Sequence, residues 1–144
     1  MFSAASALVC ALAMLNRSEA SMPPIEILDT APAYVSVGTE AFVRHSTGTI
    51  YVIGSAAVVR DASGERGRCG DPLAVKKLAS ILIHEEWHLK HPGDESAAYY
   101  RQLIALQQLG VNPGTSLYRD VQLSMQRAVA LRKRQKPEMV LAER

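Results

Sequence analysis

The order of hydrophobic and polar residues divides the chain into a strand-forming first part and a helical second part. After a proline-containing, extended lead-in, apolar alternation predicts strands at Tyr34–Val37 and Thr49–Ile53, the latter β-branched and aromatic throughout. Glu40–His45 predicts further strand or a short helix. Ala56–Val59 predicts a third strand, or a continuation of the second after a bulge at Gly54. The first part of the chain therefore predicts a small sheet.

Three helices are predicted in the second part. Asp71 is a favourable N-cap, and Pro72 a favourable first residue, for a helix that extends to about Lys90. Its apolar stripe consists of Val75, Leu78, Ala79, Leu82 and Leu89. A second helix is predicted at Glu95–Leu109, and a third begins near residue 115. Strands followed by helices favour the α+β class, with a small antiparallel sheet packed on two or three helices.

The length and charge of the chain restrict the class of protein. Its 144 residues are enough for one domain with a hydrophobic core. A formal charge of +2 is too small to indicate a nucleic-acid partner, and no basic face interleaved with aromatic residues occurs. Phosphate-binding glycine loops and internal repeats are also missing from the sequence. We therefore expect no nucleic-acid partner, and the pattern leaves the oligomeric state open.

The N-terminal residues resemble a targeting segment. Residues 2–15 are apolar or small, a run too short to span a bilayer, and a small-x-small cleavage pattern ends at Ala20. This predicts a signal peptide at 1–20, an exported (periplasmic or secreted) domain at 21–136 without a membrane span, and a frayed tail at 137–144. The alternatives are a disordered segment, an N-terminal helix docked on the core, or a start placed too far downstream. Without a leader the protein would be cytoplasmic.

The predicted signal peptide also decides whether the two cysteines can pair. Cleavage after Ala20 would remove Cys10 and leave Cys69 as the only cysteine, which excludes an internal disulfide. Cys69 lies in a polar, glycine-rich loop, and the sequence places no base beside it. We therefore expect an incidental thiol and not a nucleophile.

A metal-binding pattern lies in the middle of the first long helix. Residues 84–88 fit H-E-x-x-H, in which two histidines four apart and an intervening glutamate serve one metal ion. On a helix, His84 and His88 stand one turn apart on the same face and can point at one Zn²⁺ ion. Glu85 projects beside that point, close to where a water on the metal would sit. It can therefore act as a general base.

A zinc site needs a third protein ligand, and a catalytic one keeps a fourth position open. Pro92 and Gly93 end the first long helix, and Asp94 is a good N-cap for the next one. Glu95 then lies in the first turn of an antiparallel partner helix, beside the end that carries the histidines. His91 is the alternative third ligand, ranked lower because the following proline breaks the helix there.

The region from His84 to Tyr99 resembles the gluzincin class of zinc metallopeptidases. H-E-x-x-H is followed by a glutamate on the next helix, and Glu95-x-x-Ala98 is similar to the family's E-x-x-A element. Many members place an aspartate after that alanine, where this chain has Tyr99. The resemblance implies a zincin-like fold, one Zn²⁺ ion, peptide or protein substrates, and a substrate-binding strand edge, here Thr49–Ile53 or Ala56–Arg60.

Several roles stay open at this stage. Tyr99 lies one helical turn beyond Glu95 and can steady that ligand or donate to an oxyanion, or it can simply pack. Tyr118, His91 and Arg60 are further candidate oxyanion donors. The chain is predicted to hydrolyse peptide bonds. The alternatives are hydrolysis of a non-peptide amide, or a non-catalytic exported binding or inhibitor domain whose metal is structural or missing.

Overall fold

In chain order, one helix precedes the three strands and four helices follow them. The computed structural model describes residues 3–142. The strands are β1 (Ile25–Leu28), β2 (Ala41–Arg44) and β3 (Thr49–Ile53). The helices are α1 (Ala4–Met14), α2 (Ala57–Ala62), α3 (Pro72–Lys90), α4 (Glu95–Gln108) and α5 (Ser116–Ala142), with single 3₁₀ turns at Glu19–Ser21 and Glu65–Gly67. The protein therefore has the predicted α+β class, with five helices in residues 3–142 where two or three were expected.

β3 is the central strand of a mixed sheet with the order β1-β3-β2. β2 and β3 pair antiparallel across the turn at residues 45–48, whereas β1 pairs parallel with β3. The prediction of a purely antiparallel sheet is therefore wrong for one of the two pairings. The reason is that β1, from the stretch expected to be only an extended lead-in, occupies the other edge of β3 and runs in the same direction. β2 is left as an edge strand.

Two of the predicted strands are wrong. Tyr34–Val37 is a loop, wound into turns by hydrogen bonds between backbone groups three residues apart, and its last side chain is fully exposed. Ala56–Val59 instead leads into α2. There Val58, Val59 and Ala62 have the three- to four-residue spacing of one helical face, and all three are buried. Thr49–Ile53 is confirmed as a strand, and the strand alternative for Glu40–His45 is correct.

The long helix α3 is the element on which the others pack. Its predicted start is confirmed, since the Asp71 side chain accepts a hydrogen bond from the backbone N–H of Leu73 and Pro72 opens the helix. The predicted stripe is buried, from Val75 to Leu82, against α1 and α2. The opposite side of α3 faces β2 and α4. This placement buries the helix on most sides and turns its histidine face towards the space between the sheet and α4.

The N-terminal segment packs as a helix against α3. Ala7, Leu8, Ala11 and Leu12 of α1 are buried in the main core, and Cys10 forms a disulfide with Cys69. The expectation of an unpaired Cys69 does not hold for the chain with residues 1–20 in place. Arg17 adds a paired contact, with both terminal nitrogens donating to the Glu86 carboxylate at 2.9 and 2.6 Å. The chain thus follows the docked-helix alternative. Cleavage of residues 1–20 stays a prediction, and it would remove these contacts.

The last two helices form a hairpin beside α3. Asp94 caps α4, accepting a hydrogen bond from the N–H of Ala97, as its position before the predicted helix implies. α5 packs on α4 around a second apolar cluster, which consists of Leu103, Leu106, Val111, Leu117 and Val121. The backbone of α5 is helical through Ala142, within the expected frayed tail 137–144, whose last two residues lie outside the described part.

Candidate metal centre

The two histidines of the motif meet on one face of α3. Their ring centroids are 4.9 Å apart, as expected for residues separated by one helical turn. The side chains of His84 and His88 are 9 % and 12 % exposed, and both Nε2 atoms point towards the start of α4. The helix therefore presents two nitrogen donors to one small volume.

Glu95 joins the two histidines from α4. Its Oε1 atom lies 2.8 Å from His84 Nε2 and 3.2 Å from His88 Nε2, and the three ligand atoms all lie within 4.8 Å of one another. Two donors on a tetrahedral ion with bonds of about 2.0 Å are about 3.3 Å apart. Two imidazole nitrogens and a carboxylate oxygen at these separations can hold a metal ion.

The three ligand atoms border an open cleft of about 700 Å³. One wall is the edge strand β2 with the loop before it, the floor is α3, and the far wall is formed by α4 and α5. The Glu95 side chain is 49 % exposed to this cleft. An ion held by these three residues would therefore keep a side open to water and to a second molecule.

Glu85 and Glu86 are adjacent in the motif but have different surroundings. Glu85 lines the cleft, with its Oε1 3.9 Å from His84 Nε2, and burial raises its pKa to about 8. Glu86 points away from the cleft and is held by Arg17. Of the two acids, only Glu85 is placed to exchange a proton with a molecule at the metal centre.

Tyr99 is the candidate oxyanion donor that lines the cleft, and the other candidates do not reach it. The Tyr99 ring packs edge-on against the ring of His84, with 4.6 Å between centroids. Burial raises the pKa of the Tyr99 hydroxyl, which stays protonated at neutral pH. Tyr118 lies beside Gln107, and Arg60 is exposed on α2. The structure therefore brings Tyr99 to the predicted site and places the alternatives elsewhere.

His91, the alternative third ligand, lies outside the cluster. Its ring stacks on Trp87 with 3.8 Å between centroids, and the guanidinium of Arg101 covers the same indole at 4.4 Å. His91 sits just after the last residue of α3, with a non-helical backbone that turns its side chain away from the cleft. Of the two candidates from the sequence, it is Glu95 that meets both histidines.

Two hydrogen bonds beside the candidate metal centre were missed by sequence reasoning. Gln102 Oε1 lies 3.0 Å from His84 Nδ1, and Gln102 Nε2 lies 3.2 Å from Ser80 Oγ. Gln102 stands seven residues after Glu95, two turns along the same face of α4, and that periodicity was the available signal. A buried glutamine needs hydrogen-bond partners, which also pointed to a polar neighbour.

The pH dependence of stability tests the contact between Glu95 and the histidines. Hydrogen bonds from His84 and His88 lower the pKa of Glu95 from 4.5, and the bond to Glu95 raises the pKa of His88 from 6.5. The carboxylate's stabilisation is present above pH 4.5 and is lost as the pH falls through the lowered pKa. The His88 contribution is complete below pH 6.5 and is lost as the pH rises through the raised pKa.

We therefore expect Glu95→Gln to lower the melting temperature of the metal-free protein most between about pH 4.5 and 6.5, and less once the pH has risen through the raised pKa of His88. Circular dichroism melts in the presence of a chelator measure this difference. Glu65→Gln, at an exposed loop carboxylate, is the matched control and should change little at any pH. A difference for Glu95→Gln that stays constant across the range would contradict the contact.

Comparison with protein-family models, with curated proteins and with solved structures finds no match to this chain. Within residues 3–142, none of the helices has both the length and the apolar character needed to cross a bilayer. Function is therefore inferred from the residues and geometry of the centre itself. The structure shows an α+β domain in which His84, His88 and Glu95 can hold a metal ion.

Proposed function

We propose that the protein is a zinc-dependent peptidase of the minimal, zincin-like kind that the gluzincin resemblance implies. The observation that carries the proposal is the convergence of His84, His88 and Glu95 beside an open cleft, with the buried carboxyl group of Glu85 next to them. Two imidazoles and one carboxylate, with a fourth position open, are a donor set of catalytic zinc sites. A structural zinc site would have four protein ligands.

The centre divides the chemistry between the ion and the chain. When bound, Zn²⁺ supplies Lewis acidity, which lowers the pKa of a water and polarises a carbonyl group. Glu85 would accept the proton of the attacking water and return it to the departing amine, because its carboxyl group borders the cleft 3.9 Å from His84 Nε2. The protonated hydroxyl of Tyr99 is proposed to donate to the oxyanion that forms.

The substrate is proposed to lie along β2. The resemblance implied Thr49–Ile53 or Ala56–Arg60 as the binding edge, but the first is the central strand and the second lies mostly in α2. β2 is the strand that borders the cleft. The backbone N–H of Ile53 in β3 donates to the carbonyl of Glu40, just before β2. Along an antiparallel pair, residues that bond to the partner strand alternate with residues that do not. The backbone N–H and C=O groups of Ala41 and Val43 therefore point away from β3, to the free edge of the sheet.

Val43→Pro is expected to lower kcat/KM by about 2- to 10-fold while leaving zinc affinity unchanged, because it removes one backbone hydrogen bond worth about 0.5–1.5 kcal/mol. The bonds from β2 to β3 survive, since proline is tolerated at edge positions whose N–H faces outwards. Steady-state kinetics on a peptide substrate provides the measurement. Val43→Ala keeps the N–H and separates its effect from that of the side chain; equal losses in the two variants would argue against backbone pairing.

The proposed function is tested with the purified chain. Elemental analysis should find one zinc per chain, and a mixture of unstructured peptides should be cleaved, with cleavage stopped by a chelator and restored by Zn²⁺. Zinc without cleavage of peptides or simple amides would favour the non-catalytic binding or inhibitor domain. Cleavage of amides but not of peptides would indicate a non-peptide amidohydrolase.

A further inference from the structure

A buried line of polar side chains extends inwards from the metal centre, between α3 and α4. His84 Nδ1 contacts Gln102 Oε1 at 3.0 Å, Gln102 Nε2 contacts Ser80 Oγ at 3.2 Å, and Ser80 Oγ donates to the carbonyl oxygen of Lys77 at 2.7 Å. The three side-chain partners belong to residues that are 7 %, 5 % and 0 % exposed. Water does not compete for these contacts, so each hydrogen bond has a defined direction.

The directions follow from the number of protons available. The single hydroxyl proton of Ser80 is used on the Lys77 carbonyl, so Ser80 Oγ must accept a hydrogen bond from Gln102 Nε2. That orients the amide so that Gln102 turns its oxygen, which only accepts, towards His84. When a metal ion is bound at Nε2, the remaining ring proton of His84 must then sit on Nδ1. In the metal-free protein Nε2 lies on the side of Glu95 and His88 and donates to the Glu95 carboxylate, and a bound ion would take the place of that proton.

We propose that Gln102 and Ser80 are positioning residues that hold His84 in the Nδ1–H tautomer, with Nε2 directed at the metal ion. This role rests on the proposed metal function of His84. With the amide reversed, Gln102 would offer N–H groups to Nδ1, the proton would move to Nε2, and the ligand atom would be blocked. Ser80, which touches neither the cleft nor the ion, thereby decides which nitrogen of His84 can bind metal.

The neutral amide of Gln102 would also affect the Lewis acidity of a bound ion. Ligand histidines commonly donate their second N–H to a carboxylate or a carbonyl. At Gln102 the acceptor carries no charge, so no further negative charge is added beside an ion already bound by Glu95. The chain has Tyr99 where an acidic partner would be expected from the resemblance, and it is Gln102, three residues further on, that hydrogen-bonds to His84 Nδ1.

The test measures zinc affinity by competition with a chromophoric chelator, and the His84 tautomer by long-range ¹H–¹⁵N correlation on the zinc-loaded protein. Gln102→Leu removes the acceptor and should weaken zinc binding by about 10- to 100-fold, with loss of the protected Nδ1–H signal. Gln102→Glu restores an acceptor and should recover both readouts. Ser80→Ala frees the amide to turn and should weaken binding without touching a ligand.

Gln108→Leu, an exposed glutamine on the same helix, is the matched control and should bind zinc like the wild type. Wild-type affinity and an unchanged Nδ1–H signal in Gln102→Leu would overturn the positioning role while leaving the zinc site intact. If Gln102→Leu fails to fold by circular dichroism, Ser80→Ala decides, and unchanged affinity there overturns the role. A wild-type chain that binds no zinc would instead remove the proposed function itself.

Discussion

Replacing Glu85 by glutamine should leave one zinc ion bound and lower kcat by about 10²- to 10⁴-fold, the range that a general base contributes. The change keeps the size of the side chain and removes its ability to take a proton. Glu85 is not one of the three residues whose ligand atoms cluster, so its replacement leaves the donor set in place. Elemental analysis and steady-state hydrolysis of a peptide, carried out on the same preparation, measure the two quantities together.

Glu86→Gln is the matched control, since it makes the same change one residue further along α3. Glu86 is held by Arg17 on the side of the helix away from the cleft, so this variant should lose some stability but keep its turnover. Equal loss of activity in both variants would point to damage of the helix and not to loss of a base. Full activity in Glu85→Gln would remove the proposed mechanism.

His84→Ala should abolish stoichiometric zinc binding and, with it, all hydrolysis. It removes one of three ligands, so the loss of affinity should exceed the 10- to 100-fold that changes around a ligand cost. It also leaves the amide oxygen of Gln102 without its buried partner. Zinc content after dialysis against a weak chelator, compared with the wild type, gives the result.

His91→Ala is the control for this experiment because it removes the neighbouring histidine that stacks on Trp87. Its zinc content should equal that of the wild type. Zinc retained by His84→Ala would mean that the cluster is not the binding site. Zinc lost from His91→Ala but retained by Glu95→Gln would make His91 the third ligand.

The helical part of the fold was predictable from the sequence because its signals are local. The cap at Asp71, the proline after it and the buried stripe of α3 act within a few residues of one another, and so does the cap at Asp94. The strands were less predictable. Ala56–Val59 has strand-like residues but buries them with helical spacing, and β1 becomes a strand only because β3 offers it an edge.

Some features of the candidate site were likewise predictable from the sequence, and others were not. The i, i+4 spacing of His84 and His88 is a property of one helix, and the sequence is enough to place them together. The approach of Glu95 depends on how α4 returns along α3, and the contact of Gln102 with Ser80 depends on the register between those helices. No residue spacing encodes that register, so the partner of His84 Nδ1 could not be named in advance.

What the sequence determined by itself is the α+β class, the starts of the three long helices and two histidines that share a helix face, because caps, breakers and periodicity act over short distances. Tertiary structure alone decided that the N-terminal helix docks in the core through Cys10 and Cys69, and that β2 is the edge above the cleft. These outcomes depend on which surfaces pack together, and packing joins residues that are far apart in the chain.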